Sequence, residues 1–111
     1  MSMYTQLLDA AYGERPLPHE EGLAVAEVLR CRFELEARVP PGTDPVAVPV
    51  VLALQVGYDV ALLQLARLLG VETDPSRFEP PERERRRLEQ VLHDRGIRLE
   101  VPVVEQSLPE T

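Results

Sequence analysis

The chain has 111 residues, the length of one domain, with 44% apolar and 28% charged residues and a formal net charge of -7. That balance supplies a core and excludes a basic nucleic-acid-binding protein, a low-complexity tail and a membrane bundle. A lone cysteine, Cys31, excludes an intrachain disulfide framework and a Cys-rich zinc fold.

The first helix is expected over residues 3–12, with Ser2 as its cap, Gly13 as its end, and Leu7, Leu8 and Ala11 on its apolar side. Arg15-Pro16-Leu17-Pro18 is a connector. The second segment, 19–39, carries two conflicting signals. From 29 to 39 apolar and charged residues alternate strictly, which is a strand pattern. The residue types are those of a helix, rich in Leu, Arg, Glu and Ala. Opposite charges also recur four apart, Arg30 with Glu34, Arg32 with Glu36 and Glu34 with Arg38. Helix is the reading taken, with strand kept as the alternative. On the helix, Ala24, Val28, Cys31 and Leu35 form one apolar flank and Ala26, Leu29, Phe33 and Ala37 the other.

Pro40-Pro41-Gly42-Thr43 is a turn, and Asp44-Pro45 supplies a cap followed by Pro at the first helical position. The third helix then spans 45–69 and ends at Gly70, with Pro49 as a possible kink near its start. It is apolar nearly all round, as in a central helix that is covered by its own chain or partly by another subunit. Asp74-Pro75 repeats the cap signal before a short turn ending at Phe78, and the fourth helix spans 81–95, closed by Gly96. Leu88, Val91 and Leu92 are its packing stripe, with Phe78 added to it. Residues 97–111 form an extended tail. Its apolar alternation opens a strand alternative over 97–104, which Pro102 opposes.

The fold expected is therefore all-α: a compact bundle of about four helices, residues 1–96, with a central apolar helix at 45–69 and an extended C-terminal tail. The alternative is α+β, with strands at 29–39 and 97–104.

All 12 basic residues are Arg, and Lys and Asn are absent, which is the codon signature of a GC-rich bacterial genome. The first residues lack a basic stretch followed by an apolar one, so a cytoplasmic protein is expected. The most apolar window, 50–68, holds Asp59 near its middle, which argues against a membrane span. The run Arg83-Glu84-Arg85-Arg86-Arg87 reads as a solvated face laced with pairs, Glu79 with Arg83, Glu82 with Arg86 and Arg85 with Glu89, rather than as a phosphate-binding patch. An Arg face for an acidic partner is the alternative.

Gln55, Tyr58 and Asp59 interrupt the apolar cylinder on one side of the third helix. A buried carboxylate needs a partner, and Arg32 is the candidate. These four residues are read as a structural polar cluster, or alternatively as the lining of a small-ligand pocket. Cys31 reads as a buried small side chain, with Arg30 and Arg32 turned away from it. His19, His93 and Cys31 lack a ligand spacing, so neither a metal nor a cofactor is expected. Gly57 is expected to let another helix approach closely. With no catalytic constellation in view, the expected function is a non-catalytic interaction or regulatory module that self-associates, as a homodimer or with a protein partner, through helices two and three. The alternative is a helical binder of an apolar or weakly polar small molecule.

Overall fold

The computed structural model describes residues 2–38 and 49–99. Within them lie four α-helices, α1 (Met3–Glu14), α2 (Glu21–Arg38), α3 (Pro49–Leu68) and α4 (Pro81–Asp94), and a 3-10 turn at Pro75–Arg77. The fold is all-α, and the described residues contain no strand. Residues 29–38 are helical despite their alternation. Their helix propensity and the Arg30–Glu34 and Arg32–Glu36 pairs, at 3.3 and 3.2 Å, act within the segment, whereas a strand needs a partner. Residues 97–99 are irregular. The turn placed at 40–43, the helix start at 45–48 and the tail over 100–111 lie outside the described residues.

Local chemistry sets three of the helix ends, the start of α1 and the ends of α3 and α4. Ser2 Oγ accepts from the Thr5 backbone N–H at 3.2 Å, the capping bond its sequence position implied. Gly70 and Gly96 take φ of +75° and +89°. The next residue in each case closes the helix by bonding back five positions, Val71 N to Ala66 O at 2.8 Å and Ile97 N to Leu92 O at 2.9 Å. Gly13 is different: α1 passes through it to Glu14. There the free carbonyls of Arg15 and Pro16 are met by Gln64 of α3, whose amide donates to them at 3.5 and 3.1 Å. Pro49 opens the described part of α3, so the kink expected there falls at the edge of the described residues.

α3 is the axis of the bundle. Every residue from Gly57 to Ala66 is buried. α2 lays Ala24, Val28 and Cys31 along it, α1 contributes Leu8, and α4 contributes Leu88 and Leu92, with Phe78 plugging the connector. Only one of the two apolar flanks of α2 is used. Leu35 is half-buried against the core, while Phe33 on the opposite flank is 62% exposed. Ile97 and Leu99, read as the start of a tail, pack onto the core. By length and composition α3 could cross a bilayer, with a mean hydropathy of 1.5, yet 61% of that stretch is buried in the bundle.

The α3–α4 connector is tied down at both ends. Glu79 accepts from the Ser2 backbone N–H and from Thr5 Oγ1 at 3.0 Å, so it completes the start of α1. Glu84, buried in the first turn of α4, accepts from Thr73 Oγ1 at 2.6 Å and from Nε and Nη2 of Arg87 at 2.8 and 2.6 Å. Burial pushes the Glu84 carboxyl up, but Arg87 and Thr73 outweigh it, and its pKa lies below the ordinary 4.5. A lowered folded-state pKa stabilises above the unfolded value and is lost as pH falls through the folded one. The stability gap between the wild type and Glu84→Gln, followed by urea unfolding, should therefore be widest near neutral pH and close as pH drops below 4.5. A gap that does not vary with pH would show that the charge of Glu84 contributes nothing.

Candidate functional site

The four residues singled out in the sequence divide between two adjoining polar clusters. In the first, Asp59 is fully buried, and Arg85 of α4 grips it with two parallel bonds, Nε to Oδ1 and Nη2 to Oδ2, both 2.8 Å. The Tyr4 hydroxyl of α1 donates to Asp59 Oδ2 as well. In the amide orientation that suits its neighbours, Gln55 accepts from Arg85 Nε and Nη2 at 3.1 and 3.2 Å. This cluster joins α1, α3 and α4. In the second, the Tyr58 hydroxyl donates to Glu89 Oε2 at 2.5 Å, and Arg32 Nη1 donates to Tyr58 Oη at 3.0 Å and to Glu89 Oε2 at 3.2 Å. This one joins α2, α3 and α4.

Arg32 is thus not the partner of Asp59; Arg85 is. Helical spacing explains the exchange. Arg85 lies three residues before Leu88 and seven before Leu92, on the face of α4 that meets α3. The same geometry turns Glu89 toward Tyr58, so the Arg85–Glu89 pair expected along α4 does not form. Tyr4, four residues before Leu8, shares the inner face of α1 and also belongs to the cluster.

The electrostatics fix the protonation of the donors. Burial, reinforced by the Asp59 charge, holds the Tyr4 hydroxyl above its ordinary pKa. Burial and the bond to Glu89 do the same for Tyr58. Burial also raises the Asp59 carboxyl, opposed by Arg85 and Tyr4. For Arg85 burial works against the charge, but Asp59 more than offsets it and the pKa is raised. Both phenols therefore stay protonated and act as donors, and each carboxylate is engaged by protein groups. Together the two clusters bond four helix pairs, α1–α3, α2–α3, α2–α4 and α3–α4.

The other candidates resolve as follows. Cys31 is buried, and its thiol is pushed up to about 11, first by burial and then by Glu27. Arg30 is not turned away from it: Nη2 stands 3.5 Å from Sγ. Among the described residues, no group of three or more His, Cys, Asp or Glu side chains could hold a metal. Along α4, Glu79 serves α1 and Glu89 serves α2 and α3, leaving Arg83 and Arg86 exposed with no acid within 4.0 Å among the described residues.

Gly57 does not admit a helix backbone. A Cβ there would stand 3.6 Å from Arg15 Nη2, an ordinary contact with a flexible side chain. Gly57→Ala should therefore raise stability by about 1 kcal/mol, the helix-interior difference between the two residues, as a higher midpoint of thermal or urea unfolding. A lower midpoint would mean that the close approach matters after all.

α3 itself is unevenly covered. Beyond the buried stretch, its first two turns carry apolar side chains that the described residues leave open, with Val50 55% exposed and Ala53 exposed beside half-buried Leu52, Leu54 and Val56. The chain matches no protein-family model, no curated protein and no solved structure.

Proposed function

We propose that this chain is a non-catalytic interaction module that self-associates as a homodimer through α2 and α3. The observation that supports the reading is the division of α3. Its second half is the core of the bundle, while its first two turns are just as apolar and stay partly open, with Val50 55% and Phe33 of α2 62% exposed. α2 and α3 pack against each other, and a continuous apolar surface carried by the two would be an association site. A net charge of -7 and the locked polar clusters fit this role better than nucleic-acid binding or catalysis.

The small-molecule alternative, centred on Gln55, Tyr58 and Asp59, is supported less well. Those residues are bonded to Arg85, Tyr4, Arg32 and Glu89 rather than turned toward a ligand.

Sedimentation equilibrium across a concentration series tests the proposal. A chain of 12.5 kDa is expected to run at twice that mass, and Val50→Glu and Phe33→Glu are each expected to return it to 12.5 kDa with the helical spectrum kept. A wild-type protein that stays at 12.5 kDa into the high micromolar range overturns the reading.

A further inference from the structure

An open groove of about 370 Å³ runs between α1 and α3, on the side of Gly57 where Arg15 lies. Leu7 and Ala11 of α1 and Leu52, Ala53 and Val56 of α3 make its walls, so the lining is almost wholly apolar. The exception is Arg15, which closes one end with its guanidinium lying over Gly57. The volume lies at the lower end of the range for small-molecule sites, about 300–1,000 Å³.

Among the described residues the charge of Arg15 is poorly matched. Its one ion pair among the described residues is with Glu27, at 4.0 Å. Both oxygens of Glu27 are already held by Arg30, Nε to Oε1 at 3.0 Å and Nη2 to Oε2 at 2.6 Å. Among the described residues the Arg15 guanidinium makes no hydrogen bond, and its side chain is 42% exposed. A planar fork of donors thus stands at the end of an apolar trough. Such a fork selects a carboxylate, which it can bind through two parallel bonds.

We propose that this groove is a binding site for a soluble monocarboxylate with an apolar chain, its tail along Leu52, Ala53 and Val56 and its carboxylate on Arg15. The site is distinct from both polar clusters; because Leu52, Ala53 and Val56 also lie on the open first turns of α3, the titration is made at chain concentrations where the protein runs as a monomer. An uncharged or cationic amphiphile of equal length fills the trough and leaves Arg15 unmatched, so selection rests on the head group.

The test is a calorimetric titration of the full chain with decanoate, decanol and decyltrimethylammonium, each below its aggregation limit. Decanoate is expected to bind one per chain, at least about tenfold tighter than either of the others, the usual weight of a charge-assisted hydrogen bond. Arg15→Gln should remove that preference, Arg15→Lys should restore part of it, and Ala53→Phe should block all three probes. Both positions are exposed, and a circular dichroism spectrum checks that each variant is folded. Methyl chemical shifts supply a second reading: decanoate should move the signals of Leu7, Leu52 and Val56 and leave Leu88 and Leu92 in place. Equal affinity for the three probes, unchanged decanoate affinity in Arg15→Gln, or shifts confined to other methyls overturns the assignment.

Discussion

Replacing Asp59 with Ala should cost about 3–5 kcal/mol of stability. The loss comes less from the missing attraction than from what is left behind. The Arg85 side chain is only 16% exposed, and in the variant its guanidinium loses both carboxylate bonds and its counter-charge. The Tyr4 hydroxyl loses its acceptor in the same step. A domain of this size has about 5–15 kcal/mol in total, so the variant should melt well below the wild type and be partly unfolded at moderate urea. The second half of the argument concerns the double variant. Replacing Asp59 with Leu and Arg85 with Met together removes both charges and leaves neither unmatched, and a buried pair exchanged for apolar side chains of similar volume is often close to neutral. Most of the loss should therefore be recovered. Urea unfolding at neutral pH checks both halves. If the double variant unfolds at the same urea concentration as Asp59→Leu alone, the stranded Arg85 charge is not what the single substitution loses.

The residues differ in how far their roles could be read from sequence. Ser2, Gly70, Gly96 and the Asp74-Pro75 pair act through bonds to neighbours a few positions away, so their type and spacing were sufficient. The inner flank of α2 was legible as a flank, but not as the inner one. Ala24, Val28 and Cys31 face α3 while Phe33 faces outward, and on a helical wheel both flanks look equally apolar. The choice depends on where α3 and α4 lie, which no local pattern encodes. The polar clusters show the same boundary. That Asp59 needs a cation followed from its place in an apolar helix. Which arginine answers it depends on how three helices meet, and Arg32 and Arg85 both stand beside packing stripes. The one signal that pointed inward was the step from Arg85 to Leu88 and Leu92, and the local pairing of Arg85 with Glu89 competes with it in the sequence. Tertiary contacts win because a buried carboxylate has more to gain from a guanidinium than an exposed i, i+4 pair does.

The two phenylalanines separate the core from the proposed association surface, and they should respond in opposite ways. Phe78 is fully buried where the α3–α4 connector passes α1, and its backbone N–H closes the 3-10 turn on Pro75 O at 3.1 Å. Phe78→Ala removes a whole ring from a packed site and should cost about 3–5 kcal/mol at every protein concentration. The connector anchors itself through Glu79 to Ser2 and Thr5, and it can collapse into the space only by giving up those bonds. Phe33 is 62% exposed, so Phe33→Ala should change the stability of the dilute, monomeric chain by no more than about 0.5 kcal/mol. At concentrations where two chains associate, the same substitution should lower the unfolding midpoint of the assembly, because association adds to apparent stability by mass action. Unfolding curves for the two variants at low and high protein concentration make the comparison. A Phe33→Ala effect that is large in the dilute chain would place that ring in the core, and one that is absent at high concentration would remove α2 from the interface and leave self-association to α3 alone.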